Sequence, residues 1–168
     1  MNDKMKVAVV GAGLIGRAWA IVFARAGHAV ALHDANAEAL SKSLVLIDGA
    51  LADLEAVRLL DEKPAVVRAR IAPVPTLAEA AAGAGYVQEN IAETLVAKQS
   101  LFAELDRLVA PETILASSTS TIPASQWSRD LGGRDRQMRR HRRRVDRAGD
   151  GAGDDDFVAG CGHIDLLR

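Results

Sequence analysis

The 168-residue chain has a single cysteine, almost no net charge and no unbroken apolar run of membrane-spanning length. Cys161 cannot close an internal disulfide, which fits a reducing compartment. A formal net charge of -1 supplies no global basic field, so neither nucleic acid nor an anionic membrane is implied as a partner. Lys4 and Lys6 precede an apolar stretch in the manner of a secretory signal, but Arg17 and three glycines break it up. It falls short of the roughly 20 apolar residues that a membrane span needs. A cytoplasmic protein is the expectation.

Against these absences stands one well-ordered pattern. Residues Val7 to Gly16 read VAVVGAGLIG, an apolar run suited to a buried parallel strand that breaks into Gly11, Gly13 and Gly16. Such glycines allow a tight turn, close approach of a pyrophosphate to bare backbone, and close packing of helix on strand. A second apolar run, His28 to His33, delivers Asp34 eighteen residues after Gly16. A carboxylate there accepts both ribose hydroxyls and repels a 2′-phosphate, so NAD is favoured over NADP. The cofactor-binding candidates of this segment are Gly11, Gly13, Leu14, Ile15, Gly16 and Asp34. His28 and His33, which flank the second strand, read as structural.

Farther along, apolar positions recur at helical spacing from Leu14 to Ala26, with Gly27 as the stop. Ala37 to about Leu60 has helical composition with Gly49 an irregularity, and Pro64 marks a break before Val66 to Arg70, which predicts one long helix or a helical hairpin. Ile71 to Val74, Tyr86 to Asn90 and Thr113 to Ala116 read as strands, Leu77 to Ala82 and Leu95 to Val109 as helices. Strands alternating with helices predict an α/β fold with a Rossmann-type, doubly wound parallel sheet.

Beyond about Gly132 the pattern stops. Eight of the fourteen residues from Arg134 to Arg147 are arginine, and Gly149 to Asp156 is GDGAGDDD, with no apolar period. The expected division is a nucleotide-binding domain over 1–133 and an Arg/Gly/Asp-rich tail over 134–168, disordered or translated in a shifted frame. No aromatic residue interleaves the arginines to stack bases, so no specific nucleic-acid site is expected. GDGAGDDD lacks the acid spacing and closing glutamate of a calcium loop, and Cys161 with His163 makes only two ligands. No metal site is expected.

Two further segments, Val87 to Asp106 (VQENIAETLVAKQSLFAELD) and Ile114 to Ser120 (ILASSTS), resemble the second and third signatures of the 3-hydroxyacyl-CoA dehydrogenase family. Together with the glycine signature the resemblance covers about residues 5 to 133. Within that family, GLIGRAWA and ASSTS more closely resemble the branch that holds lambda-crystallin and L-gulonate 3-dehydrogenase than the mitochondrial fatty-acid enzymes.

The resemblance implies that Glu93, Lys98 and Ser118 contact NAD and that Ser120 contacts the 3-oxygen of the substrate. From spacing alone, Glu93 and Lys98 would be a solvated ion pair at a helix start, and the Ser/Thr cluster a turn or helix cap. Ser118 stands where the fatty-acid enzymes of the family usually carry asparagine. Oxidation of a secondary alcohol needs a base, and the family's histidine falls twenty-one residues after the serine, at His141. His141 lies among arginines, unlike its counterparts, and Gly153 stands where the family's orienting glutamate is expected. The family's helical domain, which covers the substrate, supplies a catalytic asparagine and makes the homodimer, has no counterpart in these residues. The implied activity is NAD-dependent oxidation of a small-molecule 3-hydroxy substrate, an acyl-CoA or a free 3-hydroxy acid such as L-gulonate. The alternative is an NAD-binding module without turnover.

Overall fold

The computed structural model describes residues 4–127 and Leu131. The arginine run, GDGAGDDD, Cys161, His163 and His141 lie outside the described residues.

Five parallel strands, β1 (Lys6–Val10), β2 (Ala29–His33), β3 (Ile71–Pro73), β4 (Tyr86–Glu89) and β5 (Ile114–Ser117), form one sheet in the order β3-β2-β1-β4-β5. The chain winds outward from β1 through β2 to β3, then returns past β1 to lay down β4 and β5. The strand order therefore reverses between β1 and β4, and the crevice beyond their carboxyl ends is where open α/β sheets bind ligands.

Period-two alternation along β1 feeds two cores. Val7 and Val9 pack with Phe23 of α1 (Leu14–Arg25), Ile47 and Leu51 of α2 (Ala37–Ala56) and Val67 of α3 (Pro64–Arg68). Ala8 and Val10 face the other way, toward Ala80 of α4 (Leu77–Ala81), Phe102 and Leu105 of α5 (Leu95–Leu108) and Trp127 of α6 (Ala124–Trp127). Both faces being covered, the strands read as near-continuous apolar runs.

Helix ends follow local chemistry. Gly27, at φ +90°, closes α1 as expected, its amide and that of His28 turning back to the carbonyls of Ala24 and Phe23. Asn36 caps α2 by accepting from the amides of Glu38 and Ala39. Of the two alternatives for residues 37–70 the pair of helices forms: α2 runs for 20 residues and α3 follows it at Pro64. Exposed Gly49 does not break α2, because an isolated glycine costs only about 1 kcal/mol in a helix. The helix ends instead at Ala56, and Arg58 just beyond it takes a left-handed φ of 57°. Pro64 opens α3, where its missing amide is no loss. His28 and His33 are buried: His28 Nδ1 accepts from the Met5 amide, and His33 Nδ1 meets the Val74 carbonyl.

Candidate functional site

The turn between β1 and α1 separates the three glycines by role. A Cβ on Gly11, whose φ is +94°, would lie 2.6 Å from the Asn90 carbonyl oxygen, and one on Gly16 would lie 1.7 Å from that of Gly11. The fold itself demands these two. A Cβ on Gly13 would meet nothing within 4 Å, so no neighbour within the protein requires glycine there. The space over Gly13 is open to a ligand.

Gly13 also caps α1 without a side chain, and the first turn carries no acidic residue. The first intrahelical bond runs from the Arg17 amide to the Gly13 carbonyl, which leaves the amides at the head of the helix for an anion. Leu14 and Ile15 stand exposed at that head, 72% and 52% accessible.

Asp34, at the end of β2, completes the turn. Its Oδ2 accepts from the Ala12 amide at 2.8 Å and its Oδ1 from the Asn36 amide at 2.9 Å, which aims the carboxylate along the glycine loop. Beside it a pocket of about 280 Å³ is lined by Asp34, Ala35, Leu40, Pro73, Val74 and Pro75, among others. The lining holds one acid and no arginine or lysine. Open backbone at Gly13, free amides, an acceptor carboxylate and an apolar slot fit NAD, and the acid without a cation disfavours a 2′-phosphate.

On the far side of the strand reversal, the ends of β4 and β5 hold a second cluster. Glu89, the last residue of β4, is fully buried. Lys98 Nζ donates to both of its oxygens at 2.9 Å, the Ile91 amide donates to Oε1 at 2.7 Å, and the Ser117 hydroxyl donates to Oε2. Lys98 reaches a third carboxylate oxygen, Glu93 Oε2, at 3.3 Å. The expected pairing of Glu93 and Lys98 is present, but only its Glu93 end meets solvent: Lys98 is 1% exposed and holds Glu89 more closely. Sequence reading missed Glu89. Its signal was available, as an acid at the end of an apolar strand, nine residues before a lysine on the next helix.

Glu93 in turn gathers the loop after β5. Its Oε1 accepts from the Ser120 amide at 3.0 Å, from the Thr121 amide and hydroxyl at 3.1 Å each, and from the Thr119 hydroxyl. Burial pushes the Glu93 carboxyl up, but the Thr119 hydroxyl, the Thr121 amide and hydroxyl and Lys98 together outweigh it and lower its pKa to about 2. Ser120 is thus fixed by its backbone, while its exposed hydroxyl makes no bond among the described residues. Ser118 differs. Its oxygen accepts from Trp19 Nε1 at 3.1 Å and Gln88 Nε2 at 2.9 Å and donates to Asn90 Oδ1 at 2.8 Å, which uses the whole capacity of a hydroxyl. A ligand at Ser118 would have to displace one of these partners.

The sequence pattern of the family described as 3-hydroxyacyl-CoA dehydrogenase, NAD binding domain, matches residues 6–142. A lambda-crystallin homolog of Mus musculus is 38% identical over 122 residues, spanning 71% of this chain and 38% of the relative. A probable 3-hydroxybutyryl-CoA dehydrogenase of Bacillus subtilis is 38% identical over 122 residues, spanning 72% of this chain and 42% of the relative. The crystal structure of 3-hydroxybutyryl-CoA dehydrogenase from Escherichia coli K12 superposes with a TM-score of 0.74 at 32% identity, covering 80% of this chain and 28% of that one. The chain spans less than half the length of the relatives it matches.

Proposed function

This chain belongs to the 3-hydroxyacyl-CoA dehydrogenase family through its NAD-binding domain, and on that premise we propose that it serves the oxidation of a 3-hydroxy group at the expense of NAD. The carrying observation is the pairing of the open Gly13 backbone with the Asp34 carboxylate beside an apolar pocket. Bound NAD supplies the hydride acceptor.

The chain's own groups divide the remaining work. Amides at the head of α1 hold the pyrophosphate, and Asp34 accepts the ribose hydroxyls of the adenosine half. Glu93 and Lys98 stand at the carboxyl edge of β4, on the nicotinamide side. Ser120 offers its hydroxyl to the 3-oxygen of the substrate, held there by the bond from its amide to Glu93. The family's base falls at His141, which would take the hydroxyl proton.

The substrate is a 3-hydroxyacyl-CoA, which would link the protein to fatty-acid metabolism, or a free 3-hydroxy acid. Ser118, tied to Trp19, stands where the fatty-acid enzymes of the family usually carry asparagine, a change that fits the lambda-crystallin branch. A location in the cytoplasm accords with the single cysteine, and no helix among the described residues is long and apolar enough to cross a membrane. A second reading is an NAD-binding module without turnover.

Calorimetric titration of NAD into the chain, with Asp34→Ala as control, tests the cofactor site. Binding that is lost in the variant supports it, and no binding by the parent chain refutes it. Assays on 3-hydroxybutyryl-CoA and L-gulonate then separate the enzyme from the module.

A further inference from the structure

The second cluster contains two carboxylates and one ammonium group. Both oxygens of Glu89 take only donors, two each, which is the pattern of an ionised carboxylate. Lys98 neutralises one negative charge, and its position bonded to both Glu89 oxygens assigns that neutralisation to Glu89. Glu93 is left in excess. Its four donors on Oε1 are neutral hydroxyls and amides, which fix the carboxylate without cancelling its charge. Among the described residues Lys98 is the only cation paired with it.

Glu93 is also the outer member of the triad, with 37% of its side chain exposed against none of that of Glu89. It lies past the end of β4, across the strand reversal from Asp34. A dinucleotide laid over the reversal with its adenosine half on Asp34 must bring its other half to this side. The oxidised and reduced nucleotides share every group except the nicotinamide ring, which carries a positive charge only when oxidised.

We propose that the Glu89–Lys98–Glu93 triad discriminates between the oxidation states of the cofactor, its uncompensated Glu93 carboxylate favouring the cationic nicotinamide over the neutral reduced ring. The inference rests on the NAD reading above. A single charge on a half-buried, partly screened site corresponds to a change of about threefold to tenfold in the ratio of the two affinities. Glu89 has no direct part in this. It fixes Lys98, and so decides which carboxylate remains uncompensated.

The test is calorimetric titration of the full 168-residue chain with three ligands: oxidised NAD, NADH and ADP-ribose, which lacks the ring. In Glu93→Gln the affinity for oxidised NAD is expected to fall about threefold to tenfold relative to NADH, with ADP-ribose unchanged. Ala92→Lys changes an exposed neighbour, sets a cation beside Glu93 without removing its hydrogen bonds, and is expected to shift the ratio the same way. It decides the matter if Glu93→Gln fails to fold, which loss of ADP-ribose binding would reveal. An unchanged ratio in a variant that still binds ADP-ribose overturns the proposal and leaves Glu93 a positioning residue for Ser120. A parent chain that binds none of the three ligands overturns the NAD reading, and the proposal with it.

Discussion

The Lys98 ammonium sits 2.9 Å from each oxygen of Glu89, and neither side chain reaches solvent. This bond joins the end of β4 to the first turn of α5. The Ser117 hydroxyl adds the end of β5, so three elements meet at one carboxylate. Burying a charge is costly unless it is paired and hydrogen-bonded, and here both conditions are met.

Removing Lys98 leaves buried Glu89 without a cation, and removing Glu89 leaves buried Lys98 only its longer contact to Glu93. Glu89→Gln and Lys98→Met are each expected to destabilise the chain by about 3–5 kcal/mol. The double variant Glu89→Gln/Lys98→Met should recover a large part of that loss, because neither fully buried charge is then left without the other, and Glu93 keeps its hydroxyl and amide donors. Urea unfolding of the four proteins, read as a double-mutant cycle, checks this; simple additivity would contradict it.

Acid should loosen the loop after β5. The Glu93 carboxyl titrates at about 2 in the folded chain against an ordinary value of 4.5, so between these values the unfolded chain binds the extra proton. The contribution of Glu93 is present above pH 4.5 and is lost as pH falls toward 2. Partial exposure of the side chain screens the effect. Stability measured across that window is expected to fall less steeply in Glu93→Gln than in the parent chain, and parallel profiles would refute the assignment.

Much of this was legible in the sequence, for identifiable reasons. The glycine turn and Asp34 depend on local backbone demands, and all five strands and the five longer helices follow from period and punctuation. What was not legible is contact between distant residues. The spacing of Glu89 and Lys98 is a local sign of the pair, but their burial is not, since a buried lysine looks like a surface lysine in a helical pattern until the sheet brings β4 beside α5. Ser118 and Trp19 are ninety-nine residues apart, and their bond exists only because α1 and β5 flank the same crevice. The short helix α6 was missed because its four residues are too few to show a period. Its Trp127 is held by stacking on Phe102, with ring centroids 4.0 Å apart.

The glycines of the turn should separate binding from stability. Gly16→Ala forces a Cβ to within 1.7 Å of the Gly11 carbonyl oxygen, so helix and strand must part. A loss of about 3 kcal/mol or more is expected. Gly13→Ala meets no atom of the protein and has an ordinary φ of -66°, so its stability should stay within about 1 kcal/mol of the parent. Its methyl group instead enters the space where the pyrophosphate would approach, and NAD affinity should drop about tenfold. Thermal unfolding and NAD titration on the two variants check the contrast. Equal loss of stability would mean that Gly13, too, is required by the fold alone.

The last expectation concerns where the cofactor domain ends. Trp127 and Leu131 are 4% and 2% exposed and belong to the core that covers Ala8, Val87 and Phe102. A chain cut before Trp127 would uncover Phe102 and lose that face of the sheet. One cut after Gly133 keeps every described residue of both cores, the glycine turn, Asp34 and the Glu89 cluster. Distant, independent sites contribute additively, so the 1–133 fragment is expected to bind NAD within about twofold of the full chain. The 1–126 fragment should lose both its cooperative unfolding transition and its binding. Titration and thermal unfolding of the two fragments check this, and loss of NAD binding by the 1–133 fragment would move the boundary of the domain into the arginine-rich segment.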